Sequence, residues 1–177
     1  TSIGSNAFSY CTSLQEILIP SGITVIDTLT FDNCKSLKNV TIPDSVTGIG
    51  KSAFENCSTF TEIIIPDSVT DIGYSAFGSC SNLEKAVLPA SISSIYFIFD
   101  SCSNMKELTI MNPECKITNT GIGSNVNYAI YGYDNSTAQE YAKEKDIRFI
   151  SLGEAPTTTT TATSVTTTTT TTVTTTT

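Results

Sequence analysis

The chain has 177 residues, among them 17 Asp or Glu against nine Lys or Arg, a formal net charge of −8, and neither His nor Trp. A chain this acidic, with its few cations scattered, forms no basic patch, which argues against nucleic acid and anionic membrane surfaces as partners. No apolar run approaches the ~20 residues that span a bilayer, and without His every Ser-His or Cys-His nucleophile is excluded.

Thr1-Ser2-Ile3-Gly4-Ser5-Asn6-Ala7-Phe8 has the form T-x-I-G-x-x-A-F, which returns downstream, so the chain is expected to begin inside a repeat, as a fragment. Cys11, Cys34, Cys57, Cys80 and Cys102 follow at intervals of 23, 23, 23 and 22 residues. Phe8, Phe31, Phe54, Phe77 and Phe99 keep the same intervals, and Pro20, Pro43, Pro66 and Pro89 share the period. A one-residue deletion falls between Ile95 and Phe99. Several residue types holding one period predict a solenoid.

Within each unit, Ile17-Leu18-Ile19, Val40-Thr41-Ile42 and Ile63-Ile64-Ile65 read as short strands with alternate residues inward. The following Pro ends each strand, because it cannot donate the next ladder hydrogen bond. A second extended piece, such as Val46-Thr47-Gly48-Ile49, leads to Gly50 or Gly73 and into A-F-x-x-C-x-x-L. That spacing of three and four predicts a helical turn, with the glycines chosen for conformational freedom. Coils stacked ~4.8 Å apart would bury one continuous core. The fold class is therefore a repeat solenoid of α/β leucine-rich-repeat type, about five coils over residues 1–111 with the first one truncated.

If Ile17, Val40, Ile63, Ala86 and Leu108 point inward, then Leu18, Thr41, Ile64, Val87 and Thr109 form an outward row. Glu16, Asn39, Glu62, Lys85 and Glu107 stand beside it. These ten residues are the candidate binding face, since contiguous exposed apolar groups mark contact sites. The competing explanation is plain β-propensity, because Thr, Val and Ile suit any strand.

After Ile110 the period fails, and residues 112–154 read as a C-terminal cap. Ser136 followed by Gln139 is a capping box opening a helix over about 136–145, with Ala138, Tyr141 and Ala142 on its apolar face. Ile147, Phe149 and Ile150 read as a closing strand. From Thr157 to Thr177 only Ala162, Ser164, Val165 and Val173 are not Thr. Residues 155–177 are thus expected to be a disordered linker, with too little apolar surface to offset chain entropy.

Few residues carry assembled chemistry. The ladder cysteines lack the close pairing that zinc sites use. They read as small buried apolar residues, with a bridge involving Cys115 or a neighbouring pair as the alternative. Asp44, Asp67, Glu62 and Glu84 supply carboxylates at positions where a solvated surface is expected. Tyr10, Tyr74, Tyr96 and Phe97 are candidates either for a sugar-binding platform or for packing between coils. Asn135-Ser136-Thr137 matches a glycosylation sequon but also reads as the helix cap. No catalytic, cofactor-binding or metal-ligating residue is expected.

The unit I-P-D-S-V-T-x-I-G-x-x-A-F-x-x-C, intact at residues 42–57 and nearly so at 65–80, resembles the BspA-like leucine-rich repeat family. The resemblance covers residues 1–110. It implies a secreted or surface protein of bacteria or parasitic protists, and a role in binding or adhesion to a protein or carbohydrate surface. The stretch Y-G-Y-D-N-S-T-A-Q-E-Y-A is similar to repeat endings in secreted proteins of anaerobic fibre-degrading gut bacteria. The Thr-rich tract resembles linkers of their cellulosomes, which implies a downstream dockerin and a cohesin partner. A structural spacer, or an accessory domain of a multimodular secreted enzyme, is the alternative.

Overall fold

A computed structural model describes residues 1–38, 40–123 and 127–156. Asn39 of the candidate face and the Thr-rich residues 157–177 lie outside them. The strands are β1 (Ser2–Ile3), β2 (Val25–Ile26), β3 (Gly48–Ile49), β4 (Glu62–Ile64), β5 (Asp71–Ile72), β6 (Lys85–Leu88), β7 (Ser94–Tyr96), β8 (Glu107–Ile110), β9 (Lys116–Asn119), β10 (Ala129–Gly132) and β11 (Arg148–Ser151), with one helix, α1 (Thr137–Glu144).

Every pairing is parallel and advances by one coil, which makes the molecule a β-solenoid. On one side β1, β2, β3 and β5 stack in order, with Ile3, Ile26, Ile49 and Ile72 in register. Beyond them β7 pairs β9, with a register shift at Ile95/Tyr96 where the period shortens. On the adjacent side β4, β6, β8, β10 and β11 form a five-stranded sheet. Identical residues thus meet on successive rungs, so each coil covers the apolar stripe of the one before.

The segment A-F-x-x-C, expected as a helical turn, is not helical. Ala53, Glu55 and Cys57 donate their N–H groups three residues back, to Gly50, Ser52 and Phe54, but Ser52, Phe54 and Asn56 donate to Tyr74, Ala76 and Gly78 of the next coil. The cause is a pair of left-handed residues four apart in each coil: Ser52 and Asn56 have φ of 54° and 58°, Ser75 and Ser79 51° and 53°. Each reverses the winding, so alternate N–H groups turn outward to a neighbour instead of toward the residue four back. Asn, tolerant of this conformation, recurs there at Asn6, Asn33 and Asn56. Spacings of three and four place Ala, Phe, Cys and Leu inward under either geometry.

That side holds the densest packing. The rings of Phe8, Phe31, Phe54, Phe77 and Phe99 stack at centroid distances of 5.3, 5.2, 5.4 and 5.9 Å. Each buried ring is worth ~1.5–3 kcal/mol by area, and stacking adds ~0.5–1.5 kcal/mol. The thiols of Cys34, Cys57, Cys80 and Cys102 donate to the carbonyls of Phe8, Phe31, Phe54 and Phe77, at 3.1, 3.3, 3.3 and 3.1 Å. Each thiol therefore clips its coil to the one before. All six cysteines are free.

Gly50 and Gly73 serve space rather than flexibility. Neither has positive φ, but a Cβ on Gly73 would lie 2.5 Å from the Lys51 nitrogen, and one on Gly50 2.6 Å from the Asp27 carbonyl carbon. Backbones of successive coils touch at these two positions, and a side chain at either would force the neighbouring coil away.

The strand side departs from expectation at its start. Val40–Ile42 and Ile17–Ile19 alternate in burial as expected, yet neither segment is part of a strand, and Glu16 makes only an isolated bridge. Among the described residues no backbone hydrogen bond joins Val40–Ile42 to β4. The residue that differs nearby is Phe60, which takes the place of Leu14, Leu37 and Leu83 in the repeat. It is fully buried and lies tilted at 49° against Phe54, 5.9 Å away, so this rung holds an extra ring.

Toward the C-terminus β10 and β11 add two more rungs to the same sheet. α1 lies across β9, β10 and β11 with Ala138, Tyr141 and Ala142 buried. Ser136 caps it by accepting the Gln139 N–H, while the Gln139 side chain reaches back to the Asn135 N–H at 2.7 Å.

Candidate binding face

The alternation that buries Ile63, Ala86 and Leu108 turns their neighbours outward. Glu16, Leu18, Thr41, Glu62 and Ile64 are exposed, whereas Lys85, Val87, Glu107 and Thr109 are half-buried. Leu18 is 86% and Ile64 62% exposed, large values for side chains of this size. Register aligns Ile64 with Val87 and Thr109, and Glu62 with Lys85 and Glu107. Leu18 and Thr41 present themselves on the same side, but no strand ladder ties them to Ile64.

Two residues that the sequence pattern missed extend the outward row. Tyr131 pairs with Thr109, and Ile150 pairs with Tyr131, so the row runs Ile64, Val87, Thr109, Tyr131, Ile150. The parallel row ends at Ala129 and Arg148. Tyr131 sits 22 residues after Thr109 and next to the buried Ile130, a signal masked by the loss of every other motif residue.

A groove of about 700 Å³ lies on this face, between Thr41 on one side and Ile64 and Val87 on the other. Asp44, Glu62 and Asp67 line it, and no cation does. Lys85 Nζ stands 3.6 Å from Glu62, and Lys106 Nζ 2.7 Å from Glu84. These pairs are about half exposed, so each is worth ~1 kcal/mol at most. Asp44 and Asp67 make no ion pair among the described residues.

Three of the aromatic candidates pack together, and Tyr74 and Tyr96 stay partly exposed. Tyr74, Tyr96 and Phe97 pack on one another at 5.0 to 6.1 Å, and Lys51 sits 5.9 Å over Tyr74, yet Tyr96 stays 55% exposed. Tyr10 stands apart from them, 70% exposed. Phe97 also borders a cavity of about 520 Å³ beside α1, with Tyr128, Tyr141, Lys145 and Arg148.

Burial raises the cysteine thiols: Cys34 and Cys115 up to about 11 and Cys102 to about 12, with Cys57 and Cys80 pushed up as well. Thiols held protonated are poor nucleophiles and poor ligands. Ser136 of the sequon is buried under its own capping bond.

Residues 1–129 match the BspA type leucine-rich repeat region in six copies. The chain belongs to the BspA-type leucine-rich repeat family. No curated protein is significantly similar to it. Among solved structures, this BspA-type chain is similar to a leucine-rich repeat protein from Bacteroides ovatus, at 29% identity and a TM-score of 0.58, over 73% of this chain and 36% of that one. It is also similar to one from Eubacterium ventriosum, at 25% identity and a TM-score of 0.58, over 66% and 32% of the two chains. The pneumococcal vaccine antigen PcpA shares the fold, at 22% identity and a TM-score of 0.64, over 84% and 38%. The BspA-type chain thus spans about a third of the length of these relatives.

Proposed function

We propose that the strand face of this repeat module is a non-catalytic binding surface of an extracellular bacterial protein, secreted or held at the cell surface, with a protein or glycan surface as its ligand. One observation carries this reading: the outward row Ile64, Val87, Thr109, Tyr131 and Ile150 is continuous, partly apolar and bordered by a groove. A purely structural coil has no need to keep Ile64 in water. Non-catalytic character accords with thiols held protonated and with Glu62 and Glu84 engaged by lysines. Membership of a family of repeat modules with bacterial relatives supports the location. The Thr-rich residues 157–177 are read as a spacer to a further module; a dockerin there would add a cohesin as partner.

The test is a binding survey of the chain against extracellular-matrix proteins, whole bacterial cells and plant polysaccharides. The double substitution Ile64→Asp with Val87→Asp is expected to abolish any binding found, while circular dichroism and melting stay unchanged. Binding that survives the double substitution moves the site elsewhere. No binding across the survey leaves the module as a structural spacer.

A further inference from the structure

The groove on the strand face is an interrupted sheet. β4 is the edge strand of its five-stranded sheet, although a further coil precedes it. On the other two sides the same coils remain joined, Gly48 with Asp71 in the strands and Phe54 N–H to Ala76 carbonyl in the turns. The opening is therefore local to the strand side. It coincides with Phe60, whose ring fills a position that leucine occupies in neighbouring coils. A larger side chain in a closed layer forces its surroundings apart.

The open edge has a defined hydrogen-bonding face. Lys85 N–H bonds to the Thr61 carbonyl, and Ile65 N–H to the Val87 carbonyl. In a parallel ladder alternate residues turn to opposite neighbours, so Ile64 N–H and C=O point away from β6, into the groove. Neither has a backbone partner among the described residues. Beneath them lie Ile63 and Ile65; around them stand Asp44 and Asp67, which make no ion pair among the described residues, and Glu62, which Lys85 already engages.

We propose that this groove receives an extended, lysine- or arginine-bearing segment of a partner protein by strand addition to β4. The inference rests on the reading of the strand face as a binding surface and names what that surface takes. Main-chain bonds to Ile64 supply the affinity, as in other strand-addition sites. Apolar side chains on one face of the segment meet Ile64 and Val87, and basic ones meet the carboxylates. A neutral polysaccharide uses neither the exposed amide edge in this periodic way nor the negative charge.

Titration calorimetry with three octapeptides tests this: one alternating lysine and valine, the same peptide N-methylated at alternate amides, and one alternating glutamate and valine. The lysine peptide is expected to bind, and the other two at least about tenfold more weakly, a difference of ~1.4 kcal/mol. Asp44→Lys with Asp67→Lys is expected to weaken the lysine peptide by about tenfold, without loss of the melting transition. Phe60→Leu, which removes the wedge while keeping the core apolar, is expected to weaken it as well. Equal binding of the lysine and N-methylated peptides overturns the strand-addition mode, and equal binding of lysine and glutamate peptides overturns the basic partner. If a macromolecule in the survey depends on Ile64 and Val87 while no peptide binds, the strand face stands as the binding surface and this proposal falls.

Discussion

The turn side and the strand side of the same coils behave differently. The turn side is bonded at every rung from Phe8 N–H to Thr30 carbonyl through Phe99 N–H to Thr120 carbonyl, and its rings and thiols repeat almost without change. The strand side is laddered from β4 onward, open between β4 and the coil before it, and joined further back by the Lys38 N–H to Gln15 carbonyl bond. Its outward residues change from coil to coil: Leu18, Thr41, Ile64, Val87, Thr109. Uniformity belongs where identical residues must stack, and the outward strand positions are free of that demand. In this solenoid the uniform packing and the variable surface occupy separate sides of one repeat.

The largest expected effect breaks the stable side. Phe54→Ala removes the middle ring of the stack and should cost ~3–5 kcal/mol, while Ile64→Ala on the exposed row should stay within ~0.5 kcal/mol. Denaturant unfolding of both variants measures the contrast, and similar losses would deny the division of labour.

A smaller effect sharpens the same comparison through pH. Burial raises the Cys34 thiol from its ordinary value of 9.0 to about 11. A raised value means that the folded state holds the proton more tightly than the unfolded one. Its contribution is fully present below pH 9 and is lost as the pH rises toward about 11. The melting temperature should therefore fall progressively across that window, and Cys34→Ala should flatten the fall. A pH-independent melting temperature there would show the thiols accessible to solvent.

Much of the fold was legible because the repeat advertises it: Ile, Pro, Phe and Cys hold one period, and only a stacked coil explains four coincident ladders. The inward and outward assignment of residues 62–65, 85–88 and 107–110 followed from alternation alone. The left-handed turns were hidden because Ala, Phe, Cys and Leu at spacings of three and four satisfy a helix and a pair of reversed turns alike. The difference lies in backbone torsions at Ser52 and Asn56, which side-chain spacing does not encode. Gly50 and Gly73 were assigned to a turn, but the neighbouring coil's backbone, a long-range contact, decides them. Tyr131 and Ile150 escaped the candidate face because the last two rungs shorten, with Ala129 facing Glu107 and Arg148 facing Ala129, after the recurring Pro and Cys are gone. The groove coincides with one leucine-to-phenylalanine change, at Phe60, and side-chain spacing carries no measure of packing volume.

The most direct test of the central claim is native-state hydrogen exchange read residue by residue. Strong protection is expected for the Phe31, Phe54 and Phe77 amides on the turn side, with the Val87 amide on the laddered strand side also protected. The Ile42 and Ile64 amides, which face the opening, should exchange orders of magnitude faster. Protection of Ile64 equal to that of Val87 would mean that the strand sheet is continuous through this rung, and that the two sides of the solenoid do not differ in the way described.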